Sequence, residues 1–399
     1  MQIPGPPHAG RTVRWGSETS MPAVRSVLVV GGGAAGCATA ILLAEAGVQV
    51  EIVESRPGVP GVGSGITLQG NALRVLRDLG VWEPVREAGY AFDSLGIRAP
   101  DAAGTLVAEI PDVRTGGPDL PGTLGMSRPA LARLLLDRAA GAGATVRFGT
   151  APTALRQDGD GVEVTFSDGS GRRYDLVVGA DGVRSWTRSA IGIATEPRAT
   201  GMGIWRASVP RPAGVVRTDL THGGRCYIAG YCPTGADTMY AYLVEDVQDR
   251  TGLSQAEQVA VFRDLAGAYG GPWDDIRECL TDDTRINYAR FESHVVDAPW
   301  HRGRVVLVGD AAHSCPPTVA QGAAQGLEDA AVLAELLLAG DRVDDELLGR
   351  YTARREPRAR EVVDASVQIG QWMLDRTPPA EADVPGVMQR VSALVTERP

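Results

Sequence analysis

Apolar and polar positions recur along this chain with two periods, one of strands and one of helices. Residues 25–30 (RSVLVV) form a short apolar run, the pattern of a buried strand. Over residues 36–46 the period turns helical, with Ala38, Ile41, Leu42 and Glu45 in step. Val48, Val50 and Ile52 then alternate with polar residues, which predicts a second strand ending at Glu54. Strand, helix and strand in this order make a βαβ unit, and that unit requires a parallel sheet.

The same reading continues down the chain. Residues 71–79 predict an amphipathic helix, and residues 92–110 a hairpin turning at 101–104. Residues 128–140 predict a helix with Leu131, Leu134 and Leu135 on its apolar face. Short strands are expected at 145–148, 162–166 and 176–178. From 201 to 244 several strand-like runs are broken by Gly and Pro with little helix between them, the signature of an inserted antiparallel sheet. A helix at 255–268, a buried strand at 304–308 (RVVLV) and long helical runs at 322–338 and 344–374 complete the pattern. The first 19 residues have no periodicity and read as a disordered tail, with Met21 as a candidate natural start. The resulting layout is α/β. A tail spans 1–21, and a parallel-sheet domain is built from 22–88, 122–192 and 300–345. An antiparallel-sheet domain comes from 89–121 and 193–299, and a helical region spans 346–399.

Composition narrows the function. A net charge of −10 argues against a nucleic-acid partner, since phosphate contacts need a basic surface. No apolar run approaches the roughly 20 residues that cross a bilayer, so no membrane partner is expected. All 39 basic residues are Arg, which removes every mechanism that needs a lysine. Five cysteines with no C-x-x-C support neither a disulfide framework nor a metal site. With no secretory signal visible, the expected location is cytoplasmic.

Three motifs carry chemistry. Gly31-Gly32-Gly33-Ala34-Ala35-Gly36 is a G-x-G-x-x-G between strand and helix. Gly31 permits the tight turn, Gly33 lets a pyrophosphate approach the backbone, and Gly36 lets helix and strand pack closely. Glu54 closes the next strand 18 positions beyond Gly36, near the spacing of a ribose-binding acid. The second motif, residues 176–185 (LVVGADGVRS), ends a buried strand in a Gly-bracketed Asp181. That carboxylate reads either as ligand-facing at the carboxyl edge of the sheet or as the cap of its own turn. In the third, residues 305–313 (VVLVGDAAH) end a strand in Asp310, and Pro316, Pro317 and a helix beginning near Gly322 follow. The start of that helix would place a positive dipole end at the same edge. His313 reads as either a structural histidine or a proton-transfer group.

In this order the three motifs resemble the class A flavoprotein monooxygenases, the fold of para-hydroxybenzoate hydroxylase, over roughly residues 24–374. Met126-Ser127-Arg128-Pro129 is similar to the family's segment with a flavin-contacting Arg. The resemblance implies a Rossmann-type FAD-binding domain interrupted by a substrate domain. FAD would be held non-covalently, its ADP part on Gly31, Gly33, Ala34, Ala35, Gly36 and Glu54 with Ser55 and Arg56 beside it. Arg128 would lie near the linking chain, and Asp310 would meet sugar or ribityl hydroxyls. Asp181 would serve FAD and nicotinamide use. Pro317, Gly322, Ala323 and Ala324 would border the reacting edge of the ring. NADH or NADPH would visit transiently, since no second nucleotide-binding motif is present. The implied reaction uses O2 and a flavin C4a-hydroperoxide to hydroxylate a small aromatic or heteroaromatic compound. Epoxidase or reductase chemistry on the same fold, or a non-catalytic nucleotide-binding scaffold, are the alternatives. A halogenase of this fold would use a lysine, which the chain lacks. The family's best-known member has basic residues in the stretch matching 62–66 and at Gln321, and this chain has none there.

Substrate contacts are expected from the inserted sheet. Tyr240 and Tyr242 are two apart in one predicted strand and share a face. Tyr227 and Tyr231 fall on a neighbouring run, and Arg206 on another could pair with a carboxylate or phenolate. His222 is a candidate base. Each of these Tyr positions also fits ordinary packing. Arg206, Tyr227, Tyr240 and Tyr242 are the expected substrate residues, and His313, Pro317 and Tyr242 the expected catalytic ones. A monomer or homodimer is expected.

Overall fold

The computed structural model describes residues 22–59, 61 and 63–399. The expected tail over residues 1–21 lies outside the described residues, as does Val62.

Ser26–Val30 is the strand around which the first sheet is built. It pairs in parallel with Gln49–Glu54 on one side and Leu176–Gly179 on the other. Thr145–Phe148 and Val305–Leu307 extend the sheet outward in parallel, and His301–Arg302 closes one edge antiparallel. Helices Ala34–Glu45, Arg128–Gly141 and Gly322–Ala339 cover one face through Ile41, Leu43, Leu135, Leu327 and Leu333. The opposite face, carrying Leu28, Val30, Val53 and Val177, packs on Val162, Val164, Phe166 and Tyr174. Those four belong to a small antiparallel sheet of Pro152–Gln157, Val162–Phe166 and Gly171–Tyr174, whose first and last strands the sequence did not announce.

That second layer corrects the reading of the strand ending at Glu54. Glu51, expected on its polar alternation, is buried at 4% exposure. It accepts hydrogen bonds from Arg147 at 2.8 Å, Tyr174 at 2.9 Å and Arg172 at 2.5 Å. Burial alone would raise its pKa, but these three donors outweigh burial and hold it below the usual carboxylate value.

Gly65–Gln69, Thr123–Ser127 and Tyr90–Phe92 form a separate three-stranded antiparallel sheet. Residues 90–92, grouped from sequence with the inserted sheet, therefore pair instead with the strand leading into the Arg128 helix.

The inserted sheet has eight strands. In spatial order they are His313–Ser314, Ile286–Val295, Arg198–Pro210, Thr238–Asp246, Ile228–Pro233, Thr218–His222, Ser94–Arg98 and Leu106–Pro111. Period-two alternation gives it two distinct faces. On one, Trp205, Ala207, Tyr231 and Leu243 pack against Phe262, Trp273 and Ile276 from helices Gln255–Ala266 and Pro272–Glu278. The other face looks into a cleft between this sheet and the first domain. The chain ends in helix Asp345–Leu374 and a last helix, Val384–Thr396, whose Val387, Val391 and Val395 seat it on Val362, Ala365 and Ile369.

A fully buried polar network joins these layers. Asp329 accepts from Gly309 N at 2.8 Å, His313 Nε2 at 2.7 Å and Arg355 Nε at 2.7 Å. Glu328 accepts from Arg355 at 3.0 Å and from Arg358 at 2.8 and 2.9 Å. Burial pushes the Asp329 carboxyl up, but His313 and Arg355 outweigh it and bring the pKa to about 2.

Removing one partner of such a network strands the other charges. Asp329→Ala is expected to destabilise the fold by about 3–5 kcal/mol in urea unfolding at pH 7. A carboxyl whose folded pKa is depressed contributes stability that is present above its unfolded value and lost as pH falls. From the value of about 2, this contribution disappears between roughly pH 4 and pH 2. Asp329→Asn should therefore lose less stability than the parent across that interval.

Candidate active site

The turn after the first strand is shaped by close approach. Gly31 sits at φ +109°, a conformation open to glycine, and a Cβ there would strike the Ala180 carbonyl. A Cβ on Gly36 would collide with the Gly31 carbonyl oxygen, so helix and turn touch backbone to backbone. Gly33 has nothing within 4 Å of where a Cβ would stand, and with Ala34 and Ala35 it lines the cleft. The helix that starts at Ala34 has no side-chain cap and no acid in its first turn. Its free N–H groups and positive dipole end face the cleft and suit a pyrophosphate. Glu54 orders the adjoining backbone, accepting from Gly32 N at 3.1 Å and Arg56 N at 2.9 Å. Arg56 reaches the cleft, whereas neither Glu54 nor Ser55 lines it.

The third motif arrives at the same edge. Gly309, at φ +59°, lets a single turn of 3-10 helix (Gly309–Ala311) leave the strand. A Cβ at Gly309 would stand 3.0 Å from the Ala35 methyl, so the first and third motifs meet. The Asp310 carboxylate makes no hydrogen bond among the described residues and meets solvent inside the cleft. The protein mass around it raises its pKa, a shift that His313 and Arg128 partly oppose. It is an open acceptor for hydroxyl groups. Pro317 is exposed to the cleft, and the following turn passes through Ala320 at φ 54° before helix Gly322–Ala339 begins. This helix also lacks a side-chain cap or first-turn acid, and Gly322 and Ala323 line the cleft, while Ala324 is buried behind them. Arg128 hydrogen-bonds the Gly65 carbonyl at 3.1 Å and otherwise reaches into the cleft.

Asp181 and His313 also stand elsewhere. Asp181 spends its carboxylate on its own turn, accepting from Ser185 Oγ at 2.5 Å, Thr187 N at 2.8 Å and Thr187 Oγ1 at 2.9 Å. Its neighbours Ala180 and Gly182 line the cleft in its place. Arg188, further along the same motif, donates to Val183 O at 2.9 Å and Ala311 O at 3.0 Å, and so ties the second motif to the turn of Asp310. His313, expected as a proton-transfer candidate, is buried at 3% exposure and absent from the cleft lining. It is bonded to Asp329 and its ring lies 5.2 Å from that of Trp300, tilted by 39°, so its geometry is that of a structural histidine.

Across the cleft stands the inserted sheet. Arg206 lies directly opposite Tyr242 in antiparallel register, and Ser208 opposite Tyr240. The Tyr240 and Tyr242 rings stack at 5.3 Å, 27° from parallel. Tyr240 packs on Gly65, where a Cβ would strike the ring, and its hydroxyl meets Thr67 Oγ1 at 3.0 Å. Arg206 has no hydrogen bond or ion pair among the described residues. Burial first and Arg128 second push its pKa down to about 10, which still leaves it cationic at neutral pH. Tyr227 lines the cleft but donates its hydroxyl to Asp246 at 2.6 Å. Tyr231 points to the other face and bonds Asp219 at 2.8 Å. His222 is exposed at the cleft wall.

Some residues in and behind the cleft lining were not foreseen in these roles. Gln321, fully buried, exchanges amide hydrogen bonds with Asn71 at 3.0 and 3.1 Å and also reaches Gln69. Trp372, Met373 and Met388 from the last two helices form another wall. The four-residue spacing of Val387, Val391 and Val395 was the available signal for that last helix.

The cleft is about 2570 Å³, with a lining that runs round the far edge of the inserted sheet. A single-ligand pocket is typically about 300–1,000 Å³. Among the described residues no cluster has metal-ligand character, and no helix is long and apolar enough to cross a membrane. The glycine cradle, two uncapped helix starts and the unpartnered Asp310 fit an extended dinucleotide of the FAD type. Gly36→Val should abolish FAD retention on gel filtration. Asp310→Ala should weaken FAD binding about 10-fold or more, the loss of one or two charge-assisted hydrogen bonds, read by quenching of flavin fluorescence.

Comparison with known proteins agrees with this cleft. Residues 25–366 match the family described as FAD binding domain. The aurachin C monooxygenase/isomerase of Stigmatella aurantiaca is 31% identical over 358 residues, 87% of this chain and 90% of that protein. The 3-amino-4-hydroxybenzoate 2-monooxygenase of Streptomyces cremeus is 30% identical over 356 residues, 84% of each chain. The crystal structure of Klebsiella pneumoniae HpxO complexed with FAD and uric acid superposes with a TM-score of 0.80. That match covers 94% of this chain and 97% of HpxO at 21% identity, a likeness of fold. This chain therefore belongs to the FAD binding domain family, as an FAD-dependent monooxygenase of class A.

Proposed function

We propose that the enzyme hydroxylates a small aromatic or heteroaromatic ring bearing a phenol-type group, using O2 and either NADH or NADPH, in the cytoplasm. A ring C–H becomes C–OH, the second oxygen atom leaves as water, and the reduced nicotinamide supplies two electrons. Bound FAD supplies the oxygen-activating chemistry, and its fit rests on the glycine cradle and Asp310 described above.

The observation that carries this reading is Arg206. It is a cation without a protein partner among the described residues, opposite Tyr242 and lining the same cleft as Pro317 and Gly322. A guanidinium in such a place attracts an oxyanion and favours ionisation of a bound phenol. Ionisation makes the ring electron-rich, which is what attack on an electrophilic oxygen requires. The Tyr242 hydroxyl is held protonated by burial first and Tyr240 second, so it acts as a hydrogen-bond donor. The relatives named for aurachin C and for 3-amino-4-hydroxybenzoate act as monooxygenases on their own compounds, and this supports an aromatic substrate here.

The test is oxidation of NADH and NADPH by the FAD-loaded enzyme against a panel of phenols and hydroxylated heteroaromatics under ¹⁸O2. Substrate-stimulated oxidation with one ¹⁸O in the product is expected. Oxidation without ¹⁸O incorporation would indicate a reductase and defeat the proposal. With the substrate so found, Arg206→Ala should lower kcat/KM about 10- to 100-fold, from the about 1.5–3 kcal/mol of a hydrogen bond to a charged group. Tyr242→Phe should lower it a few-fold. Unchanged values in both variants would remove these residues from the substrate site.

A further inference from the structure

The cleft face of the inserted sheet changes character along its strands. Nearest the Gly63–Gly65 loop lie Ser208, which bonds Gly63 O at 3.2 Å, and Tyr240, which packs on Gly65. The next cross-strand pair on this face is Arg206 and Tyr242. Two residues further along both strands the pair is Ile204 and Val244, with Ile228 opposite Val244 on the neighbouring strand. Here the face is apolar, until Asp246, two residues beyond Val244 on the same strand face, ends the stretch. Leu220 and Phe291 join the same cluster, and from the end of helix Asp345–Leu374 Met373 packs against it. Ile204, Val244, Ile228, Leu220 and Met373 all border the same continuous cleft as Arg206. Leu220 and Met373 are only half-buried, so apolar surface remains open to the cleft beyond the polar pair.

We infer that the substrate carries an apolar extension, a linear or branched hydrocarbon group, on the side of its ring away from the flavin cradle. The extension lies over Ile204, Val244 and Ile228, and Leu220 and Met373 flank it. This rests on the hydroxylase reading above and names the substrate class of that same site. The ring and its oxygen take the Arg206–Tyr242 position. Two residues of extended strand advance about 6.6 Å, so the apolar stretch begins within a few carbon–carbon bonds of the phenol anchor. Met373 gives this wall a flexible, polarizable side chain that adapts to chains of different shape. These five side chains carry no charge, and the charged groups that border the cleft beyond them include Asp246 and Arg376.

The test is a homologous series of 4-alkylphenols, from phenol to 4-hexylphenol, titrated into the FAD-loaded enzyme. Dissociation constants are read from the change in flavin absorption. Burial of each methylene should tighten binding about fourfold along the series. In Met373→Gln and Leu220→Gln that gain per methylene should shrink to less than twofold, with the flavin spectrum of the free enzyme as the check on folding. Phenol binding with no gain along the series would overturn the inference and leave the hydroxylase reading standing. A gain that both variants keep in full would overturn the assigned location. If no member perturbs the flavin, while a non-phenolic compound does, the reading beneath falls and this inference falls with it.

Discussion

The Asp329 carboxylate is the point through which the cofactor edge and the substrate wall are mechanically joined. It has no exposure to solvent, and its three donors come from three different places in the fold. Gly309 N fixes the turn that presents Asp310. His313 pins the short strand that leads into Cys315 and Pro316. Arg355 belongs to the long helix that goes on to present Ile369, Trp372 and Met373 to the cleft. Ionised groups of this kind cost much to bury, and apolar replacements of equal volume are often no less stable. What the network supplies is one arrangement of three elements in place of several. Glu328 continues it to Arg358 and Arg74, which in turn hold carbonyls at the end of the last helix.

The two halves of the cleft are made of different materials. The cofactor half is largely backbone: glycines that allow contact distances no Cβ would permit, and two helix starts whose N–H groups are left uncapped. Such a surface recognises charge and shape with few side chains. The substrate half is a sheet face, and its chemistry is set by the side chain at every second position. Arg206 and Tyr242 can stand side by side only because the antiparallel register places them opposite each other. Gly65 and Gly230 leave room for the Tyr240 and Tyr242 rings to lie flat against neighbouring backbone. A slip of one residue in the strand that carries Arg206 would turn the guanidinium into the Trp205–Phe262 core, where a lone charge has no partner.

This division accounts for what the sequence revealed. The βαβ unit was legible because each of its signals is local: an apolar run, a helical period, glycines at fixed offsets and an acid closing the next strand. Arg206 and Tyr242 were legible as facing residues because alternation within a strand is also local. Most of the misses share one cause, a partner far away in sequence, and Asp181 is the exception. Glu51 looked like a polar-face residue because its partners lie at positions 147, 172 and 174, far away in sequence. His313 kept two readings open because the carboxylate that claims it sits on the following helix. Asp181 was undecided between turn and ligand, and its three donors all lie within six residues. Gln321 stood out only as a missing basic residue, and its amide pairing with Asn71 spans 250 positions.

A consequence follows for how such a chain can change. Backbone-built recognition tolerates drift at most positions as long as a few glycines persist, so the cofactor half remains visible at 30% identity to a relative with its own named substrate. The substrate half has no such anchor. Ile204, Val244, Ile228 and Leu220 occupy sheet positions that other apolar residues of strand propensity and similar size can fill. Met373 and Trp372 lie at the end of a helix held in place by Arg355, seventeen and more residues earlier, so they too can vary without disturbing the buried network. The parts that hold the flavin and the parts that choose the ring are thus connected by rigid elements yet chemically independent. Substitutions on the distal sheet face should therefore change which compound is accepted before they change whether FAD is held.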